Sequence, residues 1–285
     1  MRPTWAEVDL GAVAHNVALL VERAAPAEVC AVVKADGYGH GAVRVARAAL
    51  DAGAAWLAVA LVEEAVVLRE AGIEAPILLL SEARPSEFAE VAALGLRATV
   101  YSPVGIAAAA ATGEHLRLHL KVDTGMHRVG AARDEVVGLA RTVVEHPALE
   151  LEAVWTHLAV ADEPDRAFTR EQLDRFDAVL AELRAAGIEV PLTHAANSAG
   201  AIAHPDARRS LVRCGIAVYG VDPSPELAGA LGLQPALRLR SEVSFVKRVA
   251  AGEGVSYGLH HTFGEAATVA TVPIGYADGV RRRLG

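Results

Sequence analysis

The sequence predicts a (β/α)8 barrel of the TIM type, followed by a mainly β second domain that is incomplete. Three observations carry this. From residue 28 onward, short β-branched runs alternate with longer Ala/Leu/Glu/Arg-rich segments, the pattern of α/β proteins. The short runs are apolar throughout, as strands covered on both faces are. After Gly220 the pattern changes, and Leu237, Leu239, Ser241, Val243 and Phe245 recur at every second position, as in a half-buried strand.

The candidate barrel strands are Val29–Val33, Trp56–Ala60, Ile77–Leu80, Ala98–Tyr101, Leu116–Val122, Leu151–Trp155, Val190–Thr193 and Leu211–Val212. Eight runs over this length suit a closed barrel; fewer would leave a doubly wound open sheet. Amphipathic segments Ala42–Ala52, Val62–Ala71, Glu87–Leu94, Asp134–Glu145 and Arg170–Ala186 lie between them, several followed by glycine (Gly53, Gly72, Gly95, Gly187) as at helix ends. The barrel is expected over residues 10–220, after an N-terminal strand over 1–9 that joins the β domain. Residues 221–234, with Pro223 and Pro225, read as a linker. The β domain is expected over 235–285, with further strands at Val255–Phe263 and Ala267–Ile274. About fifty residues is a thin core for an independent β domain, so it leans on the barrel or the chain is incomplete.

Composition narrows the function. Apolar residues make up 53% of 285, enough for a sizeable core and too many for disorder. Twenty-seven basic against thirty-five acidic residues give a net charge of -8, opposite to the basic excess of nucleic-acid binders. No apolar run has membrane-spanning length, and the N-terminus lacks the apolar core of a signal peptide. Two cysteines, Cys30 and Cys214, make no disulfide framework and fit a reducing compartment. A cytoplasmic protein is expected, with no membrane and no nucleic acid among its partners. Only three of the basic residues are lysines: Lys34, Lys121 and Lys247. A lysine kept in so arginine-rich a chain is a candidate for chemistry that needs an amine able to lose its proton or form a covalent bond.

Active sites of such barrels lie at the C-terminal ends of the strands. There the sequence places Lys34, Lys121, Arg128, His157, His194, Asn197, Ser198 and Arg213, so two of the three lysines share one rim. A desolvated Lys34 is suited to a Schiff base with a carbonyl compound; a structural ion pair with Asp36 or a neighbour explains it equally well. The Gly37–Gly41 stretch is small and flexible enough for backbone to approach a phosphate. Ser198 and the amides of Gly215 and Ile216 are further phosphate donors. Arg213 either faces a ring nitrogen or an anion, or closes the barrel as a salt bridge. His157 either stacks on a ring or is an ordinary hydrogen-bonding histidine. His260 and His261 lack ligand partners at useful spacing, so no metal site is read.

These residues fall in stretches that resemble bacterial alanine racemase, a pyridoxal-phosphate enzyme. The resemblance begins at Arg2–Asp9 and continues through Ala31–Gly41 around Lys34, Leu120–Gly130, Trp155–His157, Asn197–Ser198, Arg213–Gly220, Val255–Gly258 and Pro273–Gly279, in order and at compatible spacing. It implies interconversion of L- and D-alanine by two bases, supplying D-alanine for peptidoglycan. Lys34 would hold pyridoxal 5'-phosphate through a Schiff base and serve the D-alanine face. Tyr257 would serve the L-alanine face, brought by the partner subunit of a homodimer. Tyr38, Ser198, Gly215 and Ile216 would hold the phosphate. Arg213 would face the pyridine nitrogen, with His157 between it and the tyrosine, and Arg128 would bind near the substrate carboxylate. Lys121 resembles the family's carbamylated lysine. Tyr276 lies in a matching segment without an implied catalytic role.

Family members continue well past Gly279, so the resemblance implies a C-terminally truncated racemase. Other readings on related barrels are serine racemisation, an amino-acid decarboxylase, a D-threonine aldolase and a non-catalytic pyridoxal-phosphate-binding protein. Arg213 and Tyr257 stand where a decarboxylase would carry a carboxylate and a cysteine. The non-catalytic protein lacks a second domain.

Overall fold

The computed structural model describes residues 2–281. Its first strand, β1 (Thr4–Val8), is extended, and Asp9 then starts a helix. The Asp9 carboxylate accepts a hydrogen bond from Ala12 N at 3.0 Å, satisfying one of the amide groups that a helix start leaves without partners. The helix, Leu10–Ala24, buries Val13, Val17, Leu20 and Ala24, a spacing of three and four that keeps one apolar face. The sequence patterning passed over this helix because its polar face is short.

Eight parallel strands follow: β2 (Glu28–Val32), β3 (Trp56–Val59), β4 (Ile77–Leu79), β5 (Ala98–Val100), β6 (Leu116–Lys121), β7 (Leu149–Trp155), β8 (Leu192–His194) and β9 (Leu211–Cys214). They pair in two sets, β4-β3-β2-β9 and β5-β6-β7-β8. Backbone bonds join the sets at both seams. Arg97, just before β5, gives its N–H to Ile77 O and its carbonyl to Leu79 N, both at 2.9 Å; Ser210, just before β9, donates to Thr193 O at 2.9 Å. The ring is therefore closed, and an open doubly wound sheet is excluded. All eight predicted strands are present, within two residues of the expected limits.

Alternation along each strand sorts side chains to the two faces of the ring. In β2, Val29 and Ala31 pack outward against the helices, whereas Cys30 and Val32 join Trp56, Ala58, Leu78 and Leu211 inside. Helices Ala42–Asp51, Val62–Glu70, Phe88–Ala93, Pro103–Ala111, Val136–Glu145 and Phe168–Ala185 cover the outside. Among the described residues no helix is long and apolar enough to cross a membrane.

Residues 9–236 form the first compact unit. Residues 221–234, expected as a linker, belong to this barrel unit. Leu227 and Ala236 are buried, and buried Asn16 pins the segment: its Nδ2 donates to Val218 O and Gln234 O, and its Oδ1 accepts from Gln234 N. Proline and small residues signalled a connection, but nothing in their spacing registered the distant Asn16.

Residues 2–8 and 237–281 form the second unit. There β1 pairs antiparallel with β10 (Leu237–Ser241), and β11 (Phe245–Val249) with β14 (Ala267–Thr271). The single alternating run read from Leu237 to Phe245 thus spans two strands, broken at residues 242–244. Short strands β12 (Gly254–Val255) and β13 (His261–Thr262) flank a turn containing Tyr257. No described side chain of this unit is buried, and Leu239, Phe245 and Val246 are all more than half exposed.

Asn16→Leu strands three backbone groups at the barrel end of residues 221–236. Urea denaturation is expected to show a loss of about 3 kcal/mol, since each unsatisfied group costs roughly 1–3 kcal/mol.

Candidate active site

The end of β2 leads directly into Lys34, and the chain then makes one left-handed turn. Ala35, Asp36, Gly37 and Tyr38 have φ of 52°, 51°, 60° and 53°. For L-residues this conformation costs roughly 1–2 kcal/mol each, so the turn needs bracing. Glu64 of the helix Val62–Glu70 accepts from Ala35 N at 2.5 Å, the Asp36 carboxylate accepts from Ala42 N at 2.8 Å, and Gly37 N donates to Val33 O at 2.8 Å. The stretch expected to be flexible is instead a braced, strained turn, the kind of feature that clusters at functional sites. Asp36 is occupied by this bracing, and among the described residues no carboxylate forms an ion pair with Lys34. The ion-pair explanation of Lys34 therefore fails.

A cavity of about 610 Å³ opens at the C-terminal ends of the strands. Lys34, Tyr38, Lys121, Arg128, His157, Ser198, Arg213, Gly215 and Ile216 all line it. Four cations face this space against one lining carboxylate, Asp162. Such a concentration of positive charge in a recess suits a ligand carrying several negative charges.

Lys121 ends β6, and the loop after it returns to the same strand: Ala131 N donates to Lys121 O at 2.9 Å, and Asp123 N to Ala131 O at 3.0 Å. Within the loop Asp123 Oδ1 accepts from Gly125 N and His127 N. Burial alone would raise the Asp123 pKa, but these bonds and His127 bring it below the usual carboxylate range. Gly130 is required here, because a Cβ would come within 2.8 Å of Asp123 N. The loop thereby brings Arg128 back beside Lys121. Lys121 Nζ lies 4.4 Å from the Trp155 ring centroid. Burial, then Arg213 and Arg128, push its amine down to about 8.

Arg213 projects from β9 and is 3% exposed. Its Nη2 donates to Thr156 O at 2.8 Å, to Ala195 O at 3.0 Å and to His157 Nδ1 at 3.2 Å, and its Nη1 donates to His194 Nδ1 at 2.7 Å. No carboxylate pairs with it, so the barrel-closing salt bridge is excluded. Burial lowers its pKa to about 10, which leaves it charged at neutral pH. Burial and the charge of Arg213 hold His157 well below 6.5 and therefore neutral. Since His157 Nδ1 accepts from arginine, its proton sits on Nε2.

Ser198 Oγ accepts from Gly215 N at 2.9 Å and Ala217 N at 3.4 Å, leaving its hydroxyl proton to donate elsewhere. A side chain at position 215 would meet Tyr38 Oη at 2.7 Å, so the missing Cβ keeps that hydroxyl's place open. Buried Arg213 Nε has no hydrogen-bond partner, and buried donors are almost always paired. A phosphorylated pyridine would fit both ends of this arrangement, with its phosphate at Tyr38, Ser198 and Ile216 and its ring nitrogen toward Arg213 Nε; the Gly215 amide, expected as a further phosphate donor, is given to Ser198 Oγ instead.

Tyr257 belongs to the second unit, in the turn between β12 and β13, and is 84% exposed. Sequence reasoning passed over Trp155 as a cavity residue, although it also lies under Arg213 at 4.5 Å. It likewise missed Pro223, which the supposed linker contributes.

Comparison with known proteins follows the two units. The family described as "Alanine racemase, N-terminal domain" matches residues 8–223, and "Alanine racemase, C-terminal domain" matches residues 236–285. An alanine racemase of Symbiobacterium thermophilum is 49% identical over 288 aligned positions, covering 100% of this chain and 76% of its own. The crystal structure of alanine racemase from D-cycloserine-producing Streptomyces lavendulae superposes with a TM-score of 0.92 at 42% identity, covering 99% of this chain and 76% of that one. The enzyme of E. faecalis gives the same TM-score and identity over 99% and 78%.

Proposed function

The chain belongs to the alanine racemase family, and from that premise we propose how its own residues divide the reaction. It is a pyridoxal-phosphate-dependent isomerase that interconverts L- and D-alanine. The bound cofactor supplies an electron sink that acidifies the α-C–H of the amino acid joined to it. Lys34 Nζ anchors the cofactor covalently and moves the α-proton on the D-alanine face. Tyr257 Oη moves it on the opposite face. Two groups are required because a single base returns the proton to the side it came from. The orphaned Nε of Arg213 in a cationic cavity carries this reading. That N–H would be the donor held for the cofactor's ring nitrogen, and an arginine gives up its proton too reluctantly to protonate the ring. Arg213 would thereby keep the electron sink moderate and restrain transamination.

Arg128 binds the substrate carboxylate. Lys121, neutral in good part near pH 8, takes up carbon dioxide as a carbamate, whose negative charge orients Arg128, one of the two arginines that depress the Lys121 amine. Tyr257 acts in trans within a homodimer, a role that suits its exposure and the apolar surface of its unit. The cytoplasm is the proposed site of this D-alanine supply to peptidoglycan.

In heavy water with pyridoxal phosphate and L-alanine, loss of the α-proton NMR signal together with D-alanine formation is expected. Tyr257→Phe should slow L-alanine turnover by about 10²–10⁴-fold, the usual share of a general acid or base. Mixing inactive Lys34→Ala chains with Tyr257→Phe chains restores activity if the tyrosine works in trans; no restoration would refute that arrangement.

Carbamate formation needs the neutral amine, so ¹³C-bicarbonate labelling of Lys121 should rise as pH increases through about 8 and vanish in Lys121→Ala. A pH-independent signal would contradict the assignment.

A further inference from the structure

The roles above leave one set of buried polar groups unused. His119 on β6, Glu152 on β7 and His194 on β8 occupy the barrel lumen, whose other residues include apolar Val32, Trp56 and Leu211. Both histidines are fully buried. Hydrogen bonds connect the three in series to Arg213: His194 Nδ1 lies 2.7 Å from Arg213 Nη1, His119 Nδ1 lies 3.0 Å from His194 Nε2, and Glu152 Oε2 lies 2.8 Å from His119 Nε2.

The polarity of this file is fixed at both ends. Arginine only donates and a carboxylate only accepts. His194 Nδ1 must therefore accept, so its proton is on Nε2 and is given to His119 Nδ1. His119 in turn carries its proton on Nε2 and gives it to Glu152. Burial lowers the pKa of both imidazoles, which matches neutral rings in these tautomers. Arg97 at 3.4 Å and Arg117 at 3.8 Å flank the Glu152 carboxylate. Burial alone would raise the Glu152 pKa, but the bond from His119 and these charges bring it lower.

We propose that Glu152 is a positioning residue for racemisation, acting through His119 and His194 to hold Arg213 so that its Nε faces the ring nitrogen. The proposal rests on the reading of Arg213 given above. Its physical stake is a donor clash. Without an acceptor at Glu152, His119 can carry its proton on Nδ1 and give it to His194 Nε2. His194 then carries its proton on Nδ1, aimed at the Arg213 Nη1 hydrogen across 2.7 Å. The guanidinium has to turn, and Nε turns with it.

The test begins with ¹⁵N-histidine NMR of the unaltered chain before cofactor is added. His194 and His119 should both show unprotonated Nδ1 and protonated Nε2; a protonated His194 Nδ1 overturns the proposal with no variant needed. Glu152→Leu should then give His194 a mixed tautomer and lower kcat by about tenfold, the scale on which outer orienting partners act at other sites. KM for alanine should change little, because the substrate contacts are untouched. Glu152→Gln keeps an acceptor oxygen and should recover most of the loss. Unchanged kcat in Glu152→Leu overturns the proposal. Arg213→Lys separates the two levels: if it loses activity while Glu152→Leu does not, only the file fails, whereas full activity in Arg213→Lys removes the reading of Arg213 itself.

Discussion

A guanidinium buried without a carboxylate partner is the constraint on which the rest of this site depends. Arg213 is 3% exposed; two carbonyl oxygens and two imidazole nitrogens accept from its terminal nitrogens, and only its Nε is left without a partner. Burying a charge without an ion-pair partner is expensive unless it is hydrogen-bonded, and the acceptors come in two pairs from neighbouring strand ends of the barrel rim. Thr156 and His157 follow β7, His194 ends β8, and Ala195 follows it, so one side chain ties the ends of three adjacent strands. The charge it keeps then acts on its neighbours. It helps hold His157 neutral and helps bring Lys121 down to about 8. A structural solution to an electrostatic problem thus sets the protonation states with which the site works.

The left-handed turn at 35–38 is the second constraint. It gives the chain after Lys34 a tight reversal, and the bonds from Glu64 and Asp36 hold it against its intrinsic cost. The lysine is consequently held between the end of β2, two residues before it, and a braced turn rather than on a loose loop. Rigid placement suits the proposed double role of Lys34 as cofactor anchor and proton carrier, because small misplacements of reacting groups cost large factors in rate.

Much of this was legible in the sequence. The eight strands could be read because both-face burial makes parallel strands into short continuous apolar runs, and such runs put Lys34, Lys121, His157 and Arg213 on one rim. The resemblance to alanine racemase then supplied roles that no spacing contains. What escaped reading depends on partners distant in the chain. Ala35 and Asp36 give no sign of positive φ, since the bracing carboxylate of Glu64 comes from the helix beyond β3. Residues 221–234 look like a linker until Asn16 is seen to hold them. His119 and Glu152 read as ordinary strand positions, because their file forms only when β6, β7 and β8 are side by side.

The claim that Arg213 sets both the site and the reaction choice is tested most directly by counting products. Racemisation turnovers per pyruvate formed should be compared between the unaltered chain and Arg213→Glu, in preparations that retain bound cofactor. A carboxylate at that position stabilises a protonated ring nitrogen, so the account predicts that the ratio falls steeply, with more pyruvate for each alanine inverted. An unchanged ratio would mean that Arg213 serves the fold alone and that reaction choice is decided elsewhere.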